Sequence, residues 1–183
     1  STKNVGEVAE RLQDIGIQAL TVHGRTRVQM YKGDADWTLI GRIKENSRIT
    51  IPIFGNGDIS SPEKARDYRD RFGVDGIMIG RASIGYPWIF NEIKHFLKTG
   101  QHLPTPTVAD RVAVCQQHLD FSIRWKGPKA GIFEMRRHYT NYFKGLENFK
   151  PFRSRLVLAD SHDELLGILH EVTEEYAGEL CTL

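Results

Sequence analysis

Three polar loops hold the residue types that could do chemistry: His23-Gly24-Arg25, Asn56-Gly57-Asp58 and Gly80-Arg81. Each ends a short apolar run, and a helical pattern follows the second and third directly. A buried parallel strand that delivers a ligand loop from its C-terminal end has this form. Glycine lets backbone N–H groups approach an anion closely, and arginine adds a fixed charge with forked donors. In (β/α)₈ barrels the last two βα loops often hold a phosphate in this way. Asn56, Gly57, Asp58, Gly80 and Arg81 therefore read as an anion site. A plainer reading stays open, in which Gly55 and Gly57 only shape a tight turn and Arg81 is a solvated surface residue. His23 sits at a predicted strand end, where a histidine is as often a turn residue as a ligand contact.

Other chemistries find little support. Position 60 is serine, so the third glycine of a dinucleotide fingerprint is missing, and no Gly-Lys-Ser/Thr follows. No HExxH or other metal-ligand spacing is present. Cys115 lies in a helical pattern beside Val112 and Val114 and reads as core rather than nucleophile. Cys115 and Cys181 form no CxxC pair, which points to a reducing compartment rather than a disulfide scaffold. No apolar run approaches the roughly 18–20 residues of a membrane span. The expectation is a cytoplasmic protein with no membrane partner, whose start, at Ser1 rather than Met, has been cut or processed.

The elements that must position these loops can be read in order. Residues 4–15 are amphipathic with a 3–4 spacing and stop at Gly16. Residues 19–22 form a strand, 27–36 a polar loop and 37–44 a helix. Residues 49–54 form a second strand, with Pro52 expected near its start. Ser60-Ser61-Pro62-Glu63 is a helix start, and that helix ends near Gly73. Residues 75–79 form a third strand, and 84–98 a helix with Pro87 in its first turn. Such alternation predicts an α/β fold, a parallel sheet with helices outside.

Residues 101–107, with Pro104 and Pro106, read as a linker. Helices are then predicted over 108–125, 130–146 and 161–176. Charge is uneven here. Residues 124–155 hold nine Lys or Arg against two Glu, a net +7, and residues 156–183 hold seven Asp or Glu and no Lys or Arg, a net −7. The basic block carries Arg136-Arg137-His138-Tyr139 and Tyr142-Phe143-Lys144-Gly145. Basic residues among aromatics suit phosphate contact and base stacking. They also suit a core helix with a solvated basic face.

Taken together, three stretches resemble the tRNA-dihydrouridine synthases, most closely the bacterial B-type. They are Leu20-Thr21-Val22-His23-Gly24-Arg25-Thr26, Phe54-Gly55-Asn56-Gly57-Asp58-Ile59 and Ile79-Gly80-Arg81-Ala82 followed by Gly85-Tyr86-Pro87-Trp88. The resemblance is strong over residues 4–100 and weaker, though in register, around Met135-Arg136-Arg137-His138. It implies a TIM-barrel domain holding FMN (residues 1–100) and a helical tRNA-binding domain (residues 108–183). It implies NADPH or NADH as reductant and hydride transfer to the uracil ring of tRNA. By the same resemblance His23, Asn56, Gly57, Asp58, Gly80 and Arg81 are cofactor contacts, and Arg136, Arg137, His138 and Lys144 are candidates for RNA contact.

A whole (β/α)₈ barrel takes about 250 residues and eight strands. Three strands are read here, so the expectation is the C-terminal portion of a TIM (β/α)₈ barrel, its last three βα units, before a small all-helical domain. The family's catalytic cysteine lies in the earlier half, so no catalytic residue is assigned and the fragment alone is expected to be inactive. Its sheet edges should pair with the missing N-terminal barrel half or with a second copy. Two other readings remain: another phosphate-binding TIM-barrel enzyme acting on a small phosphorylated substrate, and a non-catalytic RNA-binding module.

Overall fold

The structure is a computed structural model that describes residues 4–178. Helix α1 (Val5–Asp14) leads into β1 (Leu20–His23), α2 (Thr38–Glu45), β2 (Ile53–Asn56), α3 (Pro62–Phe72), β3 (Gly76–Met78) and α4 (Ile89–Thr99). The strands form one parallel sheet in the order β1-β2-β3, with Leu20 opposite Ile53 and Phe54 opposite Gly76. Pro52 lies just before β2, where its missing N–H interrupts no ladder bond. Ser61 caps α3 by accepting from Lys64 N, and Gly73 ends it in the left-handed region at φ 63°.

Side chains alternate across a strand, so the sheet has two unlike faces. Val22, Ile53 and Gly55 are buried on one face. Trp37 is 2% exposed and packs there, edge-on to Tyr68 with ring centroids 4.9 Å apart. A Cβ on Gly55 would lie 2.0 Å from the Trp37 ring, so this glycine is required by packing. Thr21, His23 and Met78 belong to the other face and are exposed.

Backbone contacts divide the chain into two compact units. The first runs to Ser83 and takes in Ile89–His102; the second takes Ile84–Trp88 and the chain from Leu103. The second unit holds α5 (Val108–Lys126), α6 (Pro128–Met135), the short α7 (Tyr139–Tyr142), α8 (Lys150–Leu158) and α9 (His162–Glu175). Thr107 and Asp110 make a reciprocal capping box at the start of α5. Its core is built from Val112, Cys115, Leu119, Tyr139, Leu165 and Leu169 among others.

Three expectations change here. The helix expected over 84–98 begins only at Ile89, after a 3₁₀ turn at Arg81–Ser83. Gly85 sits at φ 71°, and a Cβ there would meet the Asn141 backbone at 2.7 Å. Residues 84–88 are a strap rather than a first helical turn, and Arg111 lies 5.1 Å from the Tyr86 ring centroid within the same unit. The helix expected over 130–146 breaks after Met135, where His138 N bonds Met135 O in a three-residue turn at 2.8 Å. Helix α8 was not expected, because Pro151 and a basic surround hide its weak apolar pattern.

Candidate functional site

The three strand ends are laced together by hydrogen bonds. Gly24 N donates to Asn56 O at 2.9 Å, and Asn56 Nδ2 donates to Met78 O at 3.0 Å. His23 Nδ1 lies 3.0 Å from Asn56 O. A carbonyl only accepts, so this contact places the neutral ring's proton on Nδ1 and leaves Nε2 as an acceptor. His23 is exposed and lines a hollow of about 330 Å³ with Gly24, Arg25, Gln29 and Asp36.

Asp58 is the hub of the next layer. It holds φ 56°, a left-handed conformation uncommon outside glycine. Its carboxylate accepts from Arg25 Nη1 and Nη2 at 2.8 and 2.6 Å, from Ala35 N at 2.8 Å and from Arg81 Nη2 at 2.8 Å. Hydrogen bonding from Arg25 leads in holding Asp58 below the usual carboxylate range, with Ala35 N and Arg81 adding to it against burial. The Arg25 side chain is 4% exposed and also reaches Gly33 O at 2.5 Å. Arg81 is 55% exposed and lies 4.8 Å from the Tyr31 ring centroid. Arg25, Asp34, Asp58, Lys64 and Arg81 line a hollow of about 410 Å³, three basic groups against two acidic.

The glycines divide by role. Gly57 holds φ 134°, and a Cβ would come within 2.5 Å of Ala35 Cβ, so packing and backbone conformation both demand it. Nothing stands within 4 Å of where a Cβ on Gly80 would be. Gly80 thus leaves open backbone beside the half-exposed Arg81. Arg25 and Lys64 were not singled out in the sequence. Arg25 belongs to a loop that was, but its ion pair with Asp58 spans 33 residues and leaves no local signal.

The basic candidates of the helical unit do not share one environment. Arg136 is half-buried, donating to Ala159 O at 3.3 Å, with its guanidinium 5.1 Å from the Phe133 ring centroid. Arg137 is exposed and ion-paired to Glu134. The half-buried His138 ring lies 4.9 Å from that of His118, and desolvation lowers the pKa of both. Lys144 is exposed. Cys115 is fully buried, and burial pushes its thiol pKa far up, which makes it inert. Cys181 lies outside the described residues. Among the described residues no helix is long and apolar enough to cross a membrane, and no His, Cys, Asp and Glu group could hold a metal.

Comparison with known proteins bears on this geometry. The family model for dihydrouridine synthase matches residues 1–177. The chain is 44% identical to a tRNA-dihydrouridine synthase B of Pseudomonas putida over 155 residues, which is 85% of this chain and 45% of that one. It is 42% identical to a probable tRNA-dihydrouridine synthase 1 of Synechocystis over 178 residues, covering 97% of this chain and 49% of the relative. A probable tRNA-dihydrouridine synthase of Rickettsia conorii is 35% identical over 182 residues, 54% of its length. The chain spans about half the length of the curated relatives it matches. On the match of the family model to nearly all of its length, this chain belongs to the dihydrouridine synthase family.

Proposed function

We propose that the chain is the C-terminal part of an FMN-dependent tRNA-dihydrouridine synthase: the last three βα units of a TIM barrel, then a helical tRNA-binding domain. The observation that carries this reading is the convergence of Asn56, Gly57, Asp58, Gly80 and Arg81 at one end of the sheet, in a chain of this family. Strand-end loops of this kind hold phosphates in barrels.

The residues fit the phosphate end of FMN. Gly80 offers backbone with no side chain over it, Arg81 presents half its surface, and Lys64 lines the same hollow. Asp58 plays a different part from its neighbours. Its oxygens are already engaged by Arg25, Ala35 and Arg81, and a carboxylate would repel a phosphate. Asp58 therefore positions Arg81 rather than touching the ligand. His23, on the open sheet face, would meet the flavin ring through Nε2. Bound FMN, once reduced by NADPH or NADH, would supply the hydride for the 5,6 double bond of uridine, and the proton for the second ring carbon would come from the N-terminal barrel half. This chain's share is to bind the cofactor's tail and, through Arg137, His138 and Lys144, the RNA. The exposed face carrying Thr21, His23 and Met78 and the outer edges of β1 and β3 would be covered by the N-terminal barrel half, or by a second copy in its absence.

Flavin retention tests the reading. The chain is joined to the N-terminal portion of the Pseudomonas putida relative, loaded with FMN and desalted. Flavin should stay with the protein and be lost in Arg81→Ala. Equal retention by the Arg81→Ala variant would remove this loop from the site.

A further inference from the structure

The end of the α5–α6 hairpin carries three large aromatic side chains that the core does not use. Helix α5 buries Val112, Cys115 and Leu119. Phe121 and Trp125, four residues apart and so on one side of the helix, are 59% and 85% exposed. Phe133 on α6 is 68% exposed. Exposed aromatics clustered in this way are the informative exception to ordinary burial.

Their surroundings are cationic. Arg124 lies 5.6 Å from the Phe121 ring centroid, and Lys126, Lys129 and Phe133 line one hollow of about 490 Å³. Residues 120–137 hold five Lys or Arg against Asp120 and Glu134, a net +3. Apolar protein partners do not need that charge. A polyanion with flat, stackable groups does.

We propose that Phe121 and Trp125, with Arg124 beside the Phe121 ring, form a stacking platform for unpaired bases of RNA. The arginine meets the sugar-phosphate chain, and the rings take successive bases by their faces. Stacking on aromatic side chains tolerates any base, so the platform holds RNA without choosing the uridine. The inference rests on the tRNA reading only for the identity of the RNA.

The test titrates the full chain with a short single-stranded oligouridylate and, separately, with a blunt RNA duplex, reading tryptophan fluorescence for stacking and the anisotropy of a dye-labelled RNA for affinity. Trp37 is 2% exposed and Trp88 half-buried, so Trp125 is the indole open to a stacked base. Oligouridylate should quench the fluorescence of the parent, and Trp125→Phe should remove that quench. The double variant Phe121→Ala/Trp125→Ala should bind oligouridylate about five- to a hundredfold more weakly at unchanged circular dichroism. Trp125→Phe keeps a ring face and should lose much less affinity, which separates stacking from misfolding. The duplex, lacking unpaired bases, should bind parent and double variant alike.

Equal affinity of parent and double variant for oligouridylate overturns the platform. So does a double variant that only changes the sedimentation of the chain, since the rings then meet a second copy. Unmodified tRNA is added as competitor. If it displaces oligouridylate, platform and tRNA reading stand together. If oligouridylate stacks on Trp125 and tRNA fails to compete, the platform stands and the tRNA reading falls.

Discussion

Asp58 receives both terminal nitrogens of Arg25, at 2.8 and 2.6 Å, and this fork ties the loop after β2 to the loop after β1. The Arg25 side chain is almost fully buried, at 4% exposed, while Asp58 still accepts from Arg81 on the outer side. A buried guanidinium thus fixes a carboxylate, and the carboxylate fixes a half-exposed guanidinium. Arg81 is presented to the hollow without being free to swing, which lowers the ordering cost of taking an anion.

Replacing Asp58 by asparagine should lower thermal stability and change its acid limb. The folded pKa of Asp58 lies below its ordinary 3.8. Its pairing therefore adds stability that is complete above the unfolded value and fades as pH falls through the folded one. Asp75, held low first by the hydrogen bond from Lys44, titrates in the same direction, so parent and variant melts must be compared. The gap between them should hold at neutral pH and close only as pH falls through the folded value. A constant gap would mean that the Asp58 charge is not what matters.

Gly55→Ala should destabilise the first unit by about 1–3 kcal/mol or more, because the new methyl would overlap the buried Trp37 ring. Denaturant unfolding followed by Trp37 fluorescence measures this. A neutral substitution would show that the ring can move aside.

Cys115 should resist alkylation in the folded chain and react on unfolding. Burial both hides the thiol and suppresses the thiolate. Mass spectrometry of the Cys115 peptide after brief iodoacetamide treatment decides it. Labelling at the rate of a free thiol would contradict the packing of α5.

Arg137→Ala and Lys144→Ala should each weaken RNA binding at all sequences and reduce its salt slope by about one. Arg136→Ala should instead lower the melting temperature, since that half-buried side chain donates to Ala159 O and lies 5.1 Å from the Phe133 ring centroid. Filter binding across a salt series with parallel melts distinguishes the two classes. A reduced salt slope for Arg136→Ala would place it on the RNA face.

What could be read from the sequence follows physical range. The βα alternation was legible because period and capping are local: Ser61, Gly73 and Thr107 mark helix ends within one turn. The glycine loops were legible for the same reason, although Gly55 answers to Trp37 and not to a ligand. Residues 84–88 and the break at Met135 were not, since Gly85 is constrained by Asn141, more than fifty residues away. The Arg25–Asp58–Arg81 chain joins three separate loops, so no short motif announces it. Helix α8 failed for a local reason, with Lys150, Pro151, Arg153 and Arg155 obscuring its single fully buried side chain, Leu156.

If, as we propose, these loops hold the tail of a flavin, the chemistry at its other end needs the rest of a barrel. The most direct measurement is dihydrouridine formation in unmodified tRNA with FMN and NADPH, by the chain alone and by the chain joined to the N-terminal portion of the Pseudomonas putida relative. The joined protein should turn over, and the chain alone little or not at all. Turnover by the chain alone at the level of a full-length relative would rule out a shared active site.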